Sequence, residues 1–252
     1  MSASAHSGSD DAAWSHARSR LIFALDYPSL DEARAGAERV RDAVGVVKVG
    51  LELFVRGGPE AVGMARAQGL DVFLDLKLHD IPATVDRAVA RAADLDVSLL
   101  TVHASGGRAM LERAVERAAT SPLSIVAVTV LTSLDGADLE SLGVPSAPAA
   151  QAERLARLAW AAGVRHFVCS PAEAPSLRAA LGPQARIITP GIRPSGAAAA
   201  DQKRIATPAS AIAGGADMLV VGRPIRDADD PAAAARGIVD QIAQAHRGRQ
   251  EA

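Results

Sequence analysis

The chain has 252 residues, enough for one large domain that buries its core without disulfides or a structural metal. Its one cysteine, Cys169, excludes an intrachain disulfide and a cysteine-rich zinc site. The 27 Lys and Arg residues nearly balance 29 Asp and Glu residues, and the net charge of −2 excludes a strongly basic nucleic-acid binder. No apolar run has the length of a membrane span. We therefore expect a cytoplasmic protein with neither nucleic acid nor membrane as its partner.

Residues 1–20 are polar and lack the apolar centre of a signal peptide, which predicts a disordered leader. The rest of the chain alternates short apolar runs with longer, alanine-rich amphipathic runs such as 29–44 and 149–163. Because the short runs are nearly continuous in Val, Ile and Leu, they predict parallel strands covered on both faces. The predicted strands are 21–26, 46–50, 71–77, 98–104, 124–131, 166–171, 186–192 and 218–225.

Repeated strand–helix units in a chain of this length predict one closed (β/α)8 TIM barrel, which we place over residues 21–247. An open, doubly wound sheet is the competing fold, and it would normally show G-x-G-x-x-G after the first strand. Here the first strand is followed by DYPSLDEA, which contains no glycine. The low-complexity piece 194–206 is too short to separate domains, so we expect a mobile loop after the seventh strand.

Polar residues close or follow almost every predicted strand, at the end of a barrel where active sites lie. Any one of them could be a solvated strand end, but their repetition and their opposite charges favour a shared site. In chain order they are Asp26, Lys48, Asp75, Lys77, His103, Thr132, Arg193, Gly222 and Arg223.

The densest group is the segment D-L-K-L-H-D-I-P at 75–82. Alternation along a strand directs Asp75 and Lys77 to one side, and Leu74 and Leu76 to the helix layer. If the first side is the barrel interior, two opposite charges lie together away from water. Buried ion pairs often add little net stability, so we interpret this pair as functional.

Three charged residues each allow two interpretations. Asp26 could belong to the site, or it could simply start the turn at Tyr27-Pro28. Lys48, inside VVKVG, could reach solvent from an edge strand, but a closed barrel has no edge, so we favour an inward, functional lysine. Asp80 could cap the helix that starts near Pro82, or it could belong to the site. Lysine is rare here, since only Lys48, Lys77 and Lys203 are lysines among the 27 cationic residues. A lysine can exchange a proton at neutral pH, whereas an arginine stays charged.

Glycine–arginine pairs follow the last two predicted strands, in TPGIR at 189–193 and VVGRP at 220–224. The loops after strands seven and eight are the usual phosphate site of a barrel. Glycine lets backbone N–H groups approach a phosphate, and arginine supplies a bidentate fork. We therefore predict a phosphate site at Arg193 and Arg223. His103 and Cys169 are interpreted more simply as packed side chains.

The motifs LIFALD, VKVG, FLDLKLHDIPATV, VHASGG, VTVLTS, TPGIRP and VVGRP occur in this order over about residues 21–245. In this the chain resembles the orotidine 5′-phosphate decarboxylase family, in its bacterial single-function form. The departure is Leu78, where related enzymes often have phenylalanine. The resemblance implies decarboxylation of orotidine 5′-phosphate to uridine 5′-phosphate, the last step of de novo UMP biosynthesis. It also implies a homodimer and no metal or other cofactor.

The resemblance implies that Lys77 protonates the pyrimidine carbon that loses carbon dioxide. Asp75 would lie beside the departing carboxylate, and Lys48 and Asp80 would complete an alternating array of charges. This agrees with the chemistry, because a fixed ammonium can stabilise negative charge on that carbon and then deliver a proton to it.

The resemblance also implies contacts with the rest of the nucleotide. The residues that would hold the ribose hydroxyls are Asp26, Lys48, Asp80 and Thr84. Those that would reach in from the neighbouring subunit are Asp80, Ile81 and Thr84. Those near the pyrimidine edge and the phosphate would be Thr132, Arg193, Gln202, Gly222 and Arg223, with Gln202 also contacting the base.

Two other functions remain open at this point. Keto-gulonate phosphate decarboxylases and hexulose phosphate synthases share the D-x-K-x-x-D core but act on sugar phosphates with magnesium, typically through an acidic residue on strand two. This chain has Lys48 there, which would repel the metal. A non-catalytic phosphate sensor on a barrel scaffold is the other alternative, and the two strand lysines in a lysine-poor chain argue against it.

Overall fold

Eight parallel strands close into a barrel in the computed structural model, which describes residues 12–194 and 206–250. Each strand pairs with the next, and β8 pairs with β1, so the predicted (β/α)8 TIM barrel is confirmed. Several strands are shorter than predicted. The strands are Leu21–Ala24 (β1), Val46–Gly50 (β2), Asp71–Leu78 (β3), Leu99–His103 (β4), Ser124–Val128 (β5), His166–Val168 (β6), Arg186–Thr189 (β7) and Met218–Val221 (β8).

Helices connect successive strands and surround the barrel, and a 3₁₀ turn lies at Ala104–Gly106. Of the described helices, none is both long and apolar enough to cross a bilayer. The helices are 12–18 (α1), Leu30–Val40 (α2), Leu51–Gly57 (α3), Pro59–Arg66 (α4), Pro82–Asp94 (α5), Arg108–Ala118 (α6), Gly136–Ser141 (α7), Pro148–Ala161 (α8), Ala174–Leu181 (α9), Pro208–Ala213 (α10), Arg223–Arg226 (α11) and Pro231–Gln250 (α12).

Local sequence signals explain where many helices begin. The Ser29 hydroxyl accepts a hydrogen bond from the Glu32 N–H at the start of α2, and Thr207 and Ser210 form a reciprocal capping box at α10. Proline occupies the first turn of α5 and α8, where its missing N–H costs nothing. Helices α3, α5 and α6 start soon after the strands that precede them, so the polar residues of these connecting turns are held near the barrel mouth.

Apolar side chains fill the barrel interior below that mouth. They alternate with a larger set that packs between the strands and the helices, and this outer set includes Leu74 and the partly buried Leu76, as predicted. The inner set consists of Ile22, Val46, Phe73, Leu99, Val126 and Ile188. The lower interior is thus an apolar plug, and the inward-facing positions two residues further along the strands form the floor of the mouth.

The predicted leader over 1–20 needs correction, because residues 12–18 form helix α1. Ala17 is buried at 1 % exposure, and the Trp14 indole Nε1 donates to Asp240 Oδ1 on α12 over 3.1 Å. The sequence suggested disorder because this stretch is short and mostly polar. Its few apolar residues are enough to dock it against the last helix. Positions 1–11 lie outside the described residues.

We expect α1 to contribute to stability through Ala17. The Ala17→Asp substitution should lower the free energy of unfolding by about 2–3 kcal/mol, because it buries a carboxylate without a cation. Ser15→Asp adds the same charge at an exposed position of the same helix and should change stability by less than about 0.5 kcal/mol. Urea unfolding of both variants measures the difference. Equal effects would show that α1 is not docked in solution.

Candidate active site

The C-terminal half of β3 departs from regular strand geometry. Phe73 and Leu74 pair in register with β4, but the next paired residue is Leu78. Residues 75–77 therefore form a bulge, and Lys77 adopts a left-handed backbone conformation with φ of 51°. That conformation costs a non-glycine residue about 1–2 kcal/mol. Bulges of this kind re-aim side chains next to active sites.

Asp75 is the centre of the charged cluster at the mouth. The Lys77 ammonium donates to both of its carboxylate oxygens, each over 2.8 Å. The Lys48 Nζ lies 3.8 Å from Asp75 Oδ2, and the Thr101 hydroxyl donates to Asp75 Oδ1 over 3.0 Å. The Asp75 side chain is only 13 % exposed. One carboxylate thus holds two ammonium groups apart and in place.

Lys48 connects this cluster to β1, because its ammonium donates to Asp26 Oδ1 over 3.0 Å. The charges alternate along the row Asp26, Lys48, Asp75 and Lys77. Gly50 leaves the space that the amine occupies, since a Cβ at that position would lie 2.7 Å from Lys48 Nζ. The inward direction predicted for Lys48 is confirmed.

Two adjoining cavities open at this end of the barrel, and both are lined by Lys48, Pro190 and Val220. The first has a volume of about 170 Å³ and the second about 280 Å³. The first combines the charged cluster with apolar walls: its other lining residues are Phe73, Asp75, Lys77, Val128, Val130, Leu131, Thr132 and Val168. The second is polar: its other lining residues are Ala24, Asp26, Gly191, Arg193, Gly222, Arg223 and Arg226.

Three arginines converge on the second cavity, so the predicted anion site is well supplied with positive charge. Arg193 is 8 % exposed, and its Nη1 donates to the Ile192 carbonyl over 2.9 Å. Gly191, with φ of 77°, makes the turn before it. Arg223 and Arg226 both belong to α11.

Arg226 was not singled out from the sequence, although it is the second arginine of GRPIR. Its Nη1 donates to the backbone carbonyl of Asp26 over 2.8 Å, and its Nε donates to Asp227 Oδ1 over 2.6 Å. The hydrogen bond to Asp227 raises the pKa of the Arg226 guanidinium. Arg226 therefore ties the arginine side of the mouth to the end of β1.

Three of the predicted site residues do not line these cavities. Asp80 and Ile81 are exposed and Thr84 is half-buried at the start of α5, outside the residues that line either cavity. Asp80 does not cap α5, because the N-cap residue is Ile81, whose N–H donates to Asp80 Oδ1 over 2.6 Å. Gln202 and most of the predicted loop lie at 195–205, outside the described residues.

His103 and Cys169, interpreted from the sequence as packed side chains, are partly and fully buried, respectively. Burial lowers the pKa of His103, assisted by nearby His79 and Lys77, so this imidazole is neutral at pH 7. Cys169 is fully buried, and burial raises the pKa of its thiol. Within 12–194 and 206–250, His, Cys, Asp and Glu form no group of three or more that could hold a metal ion.

The chain is similar to known proteins over most of its length. Residues 19–238 match the model of the orotidine 5′-phosphate decarboxylase / HUMPS family. A relative from Anaeromyxobacter sp. (strain K), named orotidine 5′-phosphate decarboxylase, is 54 % identical over 219 residues, which is 87 % of this chain and 96 % of the relative. A relative of the same name from Halorhodospira halophila is 52 % identical over 228 residues, 90 % of this chain and 97 % of the relative.

A solved structure gives the same picture. The crystal structure of orotidine 5′-phosphate decarboxylase from Lactobacillus acidophilus is similar with a TM-score of 0.80 and 34 % identity. The match covers 89 % of this chain and 99 % of that one.

We expect Cys169 to be unreactive in the folded protein. A thiol-specific reagent such as dithiobis(nitrobenzoic acid) should label it only after denaturation, because it is buried and its thiolate is disfavoured. Ala172→Cys places a second thiol at an exposed position three residues away and should be labelled at once. Rapid labelling of the wild-type protein under native conditions would contradict this assignment.

Proposed function

The chain belongs to the orotidine 5′-phosphate decarboxylase / HUMPS family, and from this premise we propose that it converts orotidine 5′-phosphate to uridine 5′-phosphate. This is the last step of de novo pyrimidine (UMP) biosynthesis. The family description covers two branches, and the curated relatives of about half-identical sequence carry the name of the first. The observation that carries the proposal for this chain is the alternating row of charges at the mouth.

The row suits a decarboxylation that proceeds without an electron sink. When the bond to the carboxyl group breaks, its electron pair stays on a ring carbon. A fixed ammonium beside that carbon stabilises the charge more effectively than mobile water does. Lys77 is 29 % exposed, and Asp75 holds its ammonium before any substrate arrives. The apolar walls contributed by Phe73 and Val128 strengthen the interaction by lowering the local polarity.

Lys77 is also the proton donor in this proposal. Its ammonium transfers a proton to the carbon that has lost carbon dioxide, and the neutral amine then regains a proton from solvent. Arginine could supply the charge at this position but not the proton. Asp75, Lys48 and Asp26 keep the ammonium aimed, since each carboxylate lies next to a lysine.

The second cavity fits the ribose and the phosphate. Arg193 and Arg223 would bind the phosphate, with the backbone at Gly222, and Asp26 and Lys48 would contact ribose hydroxyls. Thr132 lines the first cavity, where the pyrimidine edge would lie. Contacts to a phosphate far from the reacting carbon can supply binding energy that aligns the ring. Gln202 is assigned to the phosphate and the base by the family resemblance alone.

We propose that no metal takes part. The two lysines beside Asp75 make its surroundings unfavourable for a divalent cation, and Lys48 stands where the sugar-phosphate branch typically has an acid. A cytoplasmic location likewise stays a prediction.

A twofold homodimer with shared sites completes the proposal. Asp80, Ile81 and Thr84 do not line their own chain's cavities, which leaves them available to a neighbouring subunit. Ile81 is 65 % exposed, and Val55 on α3 is 82 % exposed. Val55 lies in the helix that follows β2, and Ile81 lies just before the helix that follows the neighbouring strand β3. Such exposed apolar groups are typical of subunit interfaces.

The decisive test of the activity is spectrophotometric. The purified protein should abolish the characteristic ultraviolet band of orotidine 5′-phosphate as it releases carbon dioxide. The rate should be the same with and without excess EDTA, because the proposal uses no metal. A chelator-sensitive activity restored by magnesium, or turnover of a hexulose phosphate or keto-gulonate phosphate instead, would place the chain in the other branch of the family.

The role of Lys77 is tested by two substitutions. Lys77→Ala should nearly abolish turnover, because it removes both the charge and the proton. Lys77→Arg keeps the charge and should be almost as poor, since guanidinium does not give up a proton. Thermal unfolding checks that both variants are folded. If Lys77→Arg retained activity within about tenfold of wild type, a loss of about 1.4 kcal/mol, Lys77 would not be the acid.

Shared sites predict complementation between two inactive chains. We expect a mixture of Lys77→Ala and Asp80→Ala chains, dissociated and reassembled, to recover about a quarter of wild-type activity. Random pairing makes half of the dimers mixed, and each mixed dimer has one site with both residues intact. Thermal unfolding must first show that each variant is folded on its own. No recovery despite mixed-dimer formation would mean that Asp80 acts within its own chain.

A further inference from the structure

Thr101 stands alone opposite the bulge of β3. Leu74 pairs with Leu100 and Leu78 pairs with Val102, so residues 75–77 face a single residue of β4. A regular ladder would pair these residues one by one. At the bulge the backbone N–H of Lys77 has left the ladder, and the structure must provide another acceptor for it.

The Thr101 hydroxyl is that acceptor, and it acts in both directions. It accepts a hydrogen bond from the Lys77 N–H over 2.8 Å and donates its own proton to Asp75 Oδ1 over 3.0 Å. Thr101 is fully buried, so water does not compete for either bond. One oxygen atom therefore joins the strained backbone of Lys77 to the carboxylate that holds the Lys77 ammonium.

We propose that Thr101 is a positioning residue for the Asp75–Lys77 pair. Its hydroxyl keeps Lys77 in the left-handed conformation and fixes the carboxylate at the same time, so the ammonium is aimed before substrate binds. Thr101 lines neither cavity and touches no substrate in this scheme. The inference rests on the proposed decarboxylation for its kinetic readout, but not for its structural one.

Thr129, which follows β5, offers a matched control. It is also buried, at 3 % exposure, and its hydroxyl donates to the Val168 carbonyl over 3.1 Å. That bond joins the Thr129 side chain to the backbone of β6, and neither partner belongs to the charged row. Thr101→Val and Thr129→Val therefore remove comparable buried hydroxyl groups, and only the first disconnects the reacting pair.

The kinetic arm measures kcat and KM for orotidine 5′-phosphate. Thr101→Val should lower kcat by at least about tenfold, since small displacements of a catalytic group can cost about a hundredfold, while KM changes less than about threefold. Thr101→Ser keeps the hydroxyl and should recover kcat to within about threefold of wild type. Thr129→Val should keep wild-type kcat. A Thr101→Val kcat less than tenfold reduced, or an equal fall in Thr129→Val, would overturn the inference.

The second arm does not depend on activity. Amide hydrogen exchange at Lys77 should be about tenfold or more faster in Thr101→Val than in wild type, and unchanged in Thr101→Ser and Thr129→Val. If Thr101→Val fails to fold, Thr101→Ala replaces it in both arms with the same expected results. Unchanged exchange would refute the role of Thr101. An inactive wild-type protein with the expected exchange pattern would instead refute the proposed function, while still showing that Thr101 stabilises the bulge at residues 75–77.

Discussion

The Asp75 carboxylate is the point on which the site depends. It accepts two hydrogen bonds from Lys77 and one from Thr101, and it lies within 3.8 Å of the Lys48 ammonium. Without it, two ammonium groups would face each other across a poorly hydrated space, which is costly. The closed barrel makes the arrangement possible, because it directs side chains of the neighbouring strands β2, β3 and β4 into one shared interior.

The two halves of the barrel carry different kinds of charge at the mouth. The strands from β1 to β3 carry the alternating charges, whereas Arg193 after β7 and Arg223 after β8 supply a cluster of positive charge. Lys48 borders both cavities and Arg226 contacts the end of β1, so the halves are physically connected. A ligand with a compact group beside the charge row and an anionic group among the arginines would match both cavities. A nucleotide has that form.

Much of this architecture follows from short-range sequence signals. Continuous Val, Ile and Leu runs identified all eight strands. Strand alternation directed Asp75 to the inner side, and the absence of an edge in a closed barrel predicted an inward Lys48. The strand ends were less predictable: Val130 and Leu131 extend an apolar run beyond β5, but they line the cavity rather than continue the ladder. An apolar run indicates that residues are buried, but it does not distinguish a strand from the wall of a cavity.

Other features depend on long-range contacts that no local pattern reveals. The left-handed backbone of Lys77 could not be predicted locally, because no glycine marks that position. The hydrogen-bond acceptor for its N–H is Thr101, 24 residues away. Thr101 itself is an ordinary β-branched strand residue by sequence. The assignments of Asp80, Thr84 and Gln202 come from family resemblance, because local spacing does not say which subunit or which loop conformation a side chain will meet.

The charge row lies on an apolar plug. As a result, the residues that would maximise stability at the mouth differ from those that the proposed activity needs. Well-packed apolar replacements of buried ion pairs are often neutral or more stable, and glycine would relieve the backbone at Lys77. A laboratory selection for heat resistance alone would therefore erode the positions around Asp75 first. The resulting barrel would unfold at a higher temperature but would lack the proposed activity. Substitutions meant to stabilise this protein should therefore leave the mouth unchanged and be placed in the helices and the outer layer.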